Sequence, residues 1–181
     1  DEPPKVHYES YYGCFQPLNM QGNFLTGEKV PNGTAREMLA IDVLGAVDLV
    51  SVLELMPQMT CVIQYAIHQT ISDDDCTCAG AQKIVVHETH GITHIPVETL
   101  SDDARQKIDA LTSADVPLYL AALARALASI RFVEEATGAE ILCDAERDML
   151  RETLYIGIPN FASHIKTSPY MTGVRNYLMQ G

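Results

Sequence analysis

Between Val116 and Val133 the apolar side chains Val116, Leu120, Leu123, Leu127, Ile130 and Val133 recur every three or four residues. That is the period of one helix face that must be buried against something else. Ser113 reads as the N-cap of this helix, Pro117 fits a first turn where its missing N–H costs nothing, and Gly138 offers a stop. Other segments supply its neighbours. Thr34 with Glu37 three positions on forms a capping box, and the helix it opens ends at Gly45. The segment from Leu53 to Ile67, with Pro57 near its start, reads as helical and buried. Ser101 reads as the N-cap of a helix with Ala104, Ile108 and Leu111 on one side, and Ile141 to Leu154 as a further helix before Gly157 and Pro159. Lys83 to Val86 is compatible with a brief strand.

The pattern predicts one mainly α domain with at most a few short strands. Residues 1–33 form an irregular, aromatic and glycine-punctuated arm, 34–156 a helical core, and 157–181 a tail. No charge run or Ser/Gly linker divides the 181 residues, a length suited to one domain of about 100–200 residues. A strand-to-helix rhythm with a glycine-rich turn is missing, so no independent nucleotide-binding sheet is expected.

Charge narrows the partners. Twelve Lys and Arg stand against 24 Asp and Glu, a net charge of −12. Such a chain repels phosphate backbones and anionic headgroups, because nucleic-acid affinity rests on Lys and Arg neutralising phosphates. Leu55 to Ser72 is uncharged, but Pro57, Gln58, Gln64, Gln69 and His68 argue for a core helix and against a membrane span. Asp1 to Pro4 offer neither the basic patch nor the apolar core of a leader, which suggests that a front part was processed away or lies upstream.

Several clusters could carry chemistry. His87, His90 and His94 are spaced for one helix face and could bind zinc, with Cys76 and Cys78 completing the set. Gly91 and Pro96 weaken that helix, and local hydrogen bonding by the histidines is the favoured reading. Asp73, Asp74 and Asp75 lack the spaced ligands of a calcium loop and read as a solvated turn within a Ser72–Gly80 loop. Glu134 with Glu135, and Asp102 with Asp103, are adjacent on helices and point about 100° apart, so neither pair can flank one bond. They read as surface charges. Neither a nucleophile elbow nor a phosphate-cradling loop is visible. No catalytic, cofactor-binding or metal residue is therefore assigned.

Five cysteines, Cys14, Cys61, Cys76, Cys78 and Cys143, cannot all pair within one chain. Cys76 and Cys78 fit two separate disulfides or two loop thiols equally. Asn32, Gly33 and Thr34 form a glycan acceptor triplet should the chain pass through a secretory lumen.

A set of short pieces resembles the C-terminal portion of carbohydrate sulfotransferase-like proteins of the algal and protist kind. The pieces are Cys14 with Asn19, Met20 and Gln21; Leu25 to Gly27; Val43 to Asp48; Cys76, Thr77 and Cys78; and His90 with Gly91. They continue through Ile108 to Thr112, Asp115, Leu118 and Tyr119, then Glu134 to Gly138, Leu142 and Cys143. The resemblance implies the helical C-terminal part of a sulfotransferase-like α/β fold, and sulfuryl transfer from 3′-phosphoadenosine 5′-phosphosulfate (PAPS) to a sugar hydroxyl. The family's donor-gripping basic loops would lie before Asp1, so none of its cofactor residues maps onto this chain. Asn19 and Gln21 match as turn residues, and Leu118, Tyr119, Leu123 and Leu127 as core.

Sulfuryl transfer needs fixed cations where negative charge develops, and the basic residues here are few and scattered. The expectation is a non-catalytic interaction or scaffold (linker) subunit of a larger protein assembly, with other protein chains as partners and an organelle or secretory lumen as its compartment. The alternative is the C-terminal part of an active sulfotransferase whose missing front supplies the PAPS site.

Overall fold

The computed structural model describes residues 20–26, 34–78, 99–113 and 115–157. Every regular element among them is helical, and they contain no strand. The elements are α1 (Met20–Thr26), α2 (Thr34–Gly45), a 3₁₀ turn (Leu53–Leu55), α3 (Met56–His68), α4 (Asp73–Cys76), α5 (Asp102–Thr112), α6 (Asp115–Thr137) and α7 (Asp144–Gly157). The mainly α expectation holds. Lys83 to Val86 lies outside the described residues, as do the two side chains of the Thr34/Glu37 box.

Helix α6 is the hub. Leu120, Leu123, Ala126, Leu127, Ile130 and Val133 are almost wholly buried, and α1, α2 and α3 pack on this helix. Ala40 and Leu44 of α2, Leu55 and Met59 beside them, and Leu150 and Leu154 of α7 complete one hydrophobic cluster. By length and composition α6 could also cross a membrane, but half of its apolar stretch is buried inside the protein, as expected of a core helix. Arg125 crosses from α6 to donate to the carbonyls of Leu44 and Val47. It thereby ties down the end of α2 and the turn after it, where Leu44 O also accepts from Val47 N.

Four expectations change. Ser113 does not cap α6: it closes α5, with its Oγ on Ala110 O, and α6 begins at Asp115. The Ser72–Gly80 loop contains the single helical turn α4, in which Cys76 N–H donates to Ser72 O and the Asp73 carbonyl accepts from Thr77 Oγ1. Three aspartates favour such a turn because their charges sit at its positive end. The amino-terminal arm is not irregular throughout, since α1 forms where the Asp115 carboxylate accepts from Gln21 N and Gly22 N, at 3.3 and 3.0 Å. Its cap comes from 93 residues away, where no local pattern could reveal it.

The fourth concerns α7, which starts at Asp144 and not at Ile141. The Ile141 and Leu142 amides are already bound, at 2.9 and 3.0 Å, by Glu134 Oε1. Cys143 then caps the helix: its N–H donates to Glu146 Oε2, and its carbonyl accepts from Glu146 N and Arg147 N. By contrast, Ser101 caps α5 as expected, accepting from Ala104 N at 3.2 Å.

Candidate functional site

Helix α3 carries no Asp, Glu, Lys or Arg in its 13 residues. One face, with Gln58, Met59, Cys61 and Val62, is buried in the core. The opposite face is exposed, and it is apolar too. Leu53, Met56, Thr60, Ile63 and Ile67 follow one another at spacings of three and four, which places them along one line of the helix. Leu53 is 71%, Met56 51%, Ile63 42% and Ile67 68% exposed. The one polar member, Thr60, turns its hydroxyl inward to Met56 O, so the stripe shows its methyl group. The segment is thus helical as expected but buried on one side only.

Beside this face a groove of about 480 Å³ opens between α3 and α6. Its walls are chiefly Val62, Tyr65 and Ala66 on one side and Ala128, Phe132 and Val133 on the other. Tyr65 meets Phe132 edge to face, with ring centroids 6.1 Å apart, and Phe132 is 62% exposed. Three polar side chains of the groove are engaged: Arg125 on two carbonyls, Ser129 Oγ on Arg125 O, and Gln69 Nε2 on Tyr65 O. Such a surface can hold another apolar surface. It offers no activated nucleophile or acid–base pair.

Elsewhere among the described residues the ion pairs are dispersed. Lys107 pairs with Asp103, Arg131 with Glu135, Arg147 with Glu140 and Asp144, and Arg151 with Asp148, each a local contact. Asp102 and Asp103 stand in solvent at the start of α5, as expected. Glu134 overturns its reading as a surface charge: it is half-buried and binds two main-chain N–H groups, while Glu135 stays exposed. Tyr119 is held well above the ordinary tyrosine range, first by burial and then by the charge and hydrogen bonding of the Glu54 carboxylate.

No group of three or more His, Cys, Asp or Glu side chains able to hold a metal occurs among the described residues. Asp73, Asp74 and Asp75 are exposed. His87, His90 and His94 lie outside the described residues. Cys76 and Cys78 form two separate disulfides, Cys61–Cys76 and Cys78–Cys143, and so offer no thiolates to complete a zinc site. Cys14 lies outside the described residues. Of the aromatic amino-terminal arm, Phe24 is described and is 85% exposed.

Comparison with protein-family models, curated proteins and solved structures gives no match.

Proposed function

We propose that this chain is a non-catalytic interaction subunit that joins a larger protein assembly through the outer face of α3. The observation that carries this reading is the uncharged stripe from Leu53 to Ile67. An uncharged helix with apolar side chains on both its inner and its outer face suits an interior, yet this one turns Met56, Ile63 and Ile67 to solvent. In a chain of net charge −12, a charge-free face is also the place where a partner docks without desolvating carboxylates. Among the described residues, Lys107, Arg131, Arg147 and Arg151 each pair with carboxylates on the same or an adjoining segment. The two disulfides fit an oxidising compartment such as an organelle or secretory lumen.

A second reading, the C-terminal part of a carbohydrate sulfotransferase, rests on the short matches between Cys14 and Cys143. One pair of measurements separates the two. In the native preparation, the chain carrying Ile63→Glu with Ile67→Glu is expected to keep its urea midpoint but to migrate at monomer mass, while the wild type migrates in the assembly. A wild-type chain that is monomeric there would overturn the interaction reading. Saturable calorimetric uptake of PAPS by the chain would favour the transferase.

A further inference from the structure

The two disulfides share the short segment 76–78 but differ in exposure. Cys61 and Cys76 are 3% and 2% exposed, sealed between α3 and α4. Cys78 and Cys143 are both half-buried, where α4 hands the chain on and α7 begins. We propose that Cys78–Cys143 is a redox exchange site, opened and closed by a dithiol–disulfide reagent while Cys61–Cys76 stays shut.

Exchange requires a thiolate to approach a sulfur in line with the S–S bond, so access decides which bridge reacts in the native state. A dithiol thiolate attacks one sulfur of the pair and forms a mixed disulfide. The other cysteine leaves as thiolate and takes a proton from water. The second thiolate of the dithiol then attacks its own partner sulfur in the mixed disulfide and expels the remaining cysteine, which is protonated in turn. Two electrons pass from the dithiol, which becomes a disulfide, to the protein, which gains two thiols.

The consequences fall on one joint. Cys78–Cys143 closes the longer loop, with its cysteines 65 positions apart against 15 for Cys61–Cys76. After reduction, the Cys78 N–H bond to Glu140 O, 3.0 Å long, still links the two segments. The clamp on α3, and with it the stripe from Leu53 to Ile67, keeps its own buried bridge. The device would therefore loosen the entry of α7 and leave the α3 face in place, whatever docks there.

The test uses the full oxidised chain carrying Cys14→Ser, so that Cys61, Cys76, Cys78 and Cys143 are the four cysteines followed. It is treated with dithiothreitol in native buffer, quenched with acid at intervals, alkylated and mapped by peptide mass spectrometry. Cys78 and Cys143 are expected to be alkylated at least about tenfold faster than Cys61 and Cys76, and the difference to vanish in urea. The Cys78→Ser/Cys143→Ser double variant is expected to retain its helical circular dichroism. Equal rates, earlier opening of Cys61–Cys76, a different pairing in the oxidised map, or loss of helix in the double variant would each overturn the proposal.

Discussion

Glu134 and Tyr119 are two ionisable side chains whose surroundings set opposite tasks. Glu134 closes the turn between α6 and α7 by accepting from two consecutive amides whose own side chains are buried. Replacing it by Ala strands both donors and is expected to cost about 2 kcal/mol, with Gln recovering roughly half through its remaining acceptor oxygen. Urea denaturation of the three proteins checks the order. Tyr119 is poised to make the fold sensitive to alkali. Its folded pKa lies above the unfolded value, so the unfolded chain gives up its phenolic proton first as pH rises. The stability it contributes is full below about pH 10 and declines above it. Urea midpoints between about pH 9 and pH 11 are expected to fall less steeply for Tyr119→Phe than for the wild type.

The helices differ in what holds them. Helix α6 is fixed by burial, and its ends follow from Asp115 and from Gly138, whose φ of +72° suits glycine and whose N–H donates to Glu134 O. Helix α5 is the reverse case: none of its residues is buried, and Ile108 is 46% exposed. Its capping serine and the Lys107–Asp103 pair are therefore a larger share of what supports it. Ser101→Ala is expected to weaken α5 locally by about 1 kcal/mol. Amide hydrogen exchange should quicken in 102–112 and stay unchanged in α6; a matching loss in α6 would mean that α5 is part of the global folding unit. Helix α3 stands between these cases, anchored on one side by core contacts and Cys61, with the other side open.

At the scale of the molecule, the apolar rhythm of 116–133 determined by itself that a buried helix would organise the chain, and α6 is that helix. Gly45 as a stop and Ser101 as a cap were equally legible, because each acts on neighbours within a few residues. What the sequence could not carry was anything set by distant partners. Asp115 starts α1, Arg125 closes α2, Glu134 delays α7, and each does so through main-chain groups that carry no residue identity. The cysteine count left the pairing open, and spatial proximity in the fold decided it. The open face of α3 was hidden for a related reason. Composition leaves the segment uncharged and rich in apolar side chains, but only packing against α6 decides which of them are covered and which are left for something else to meet.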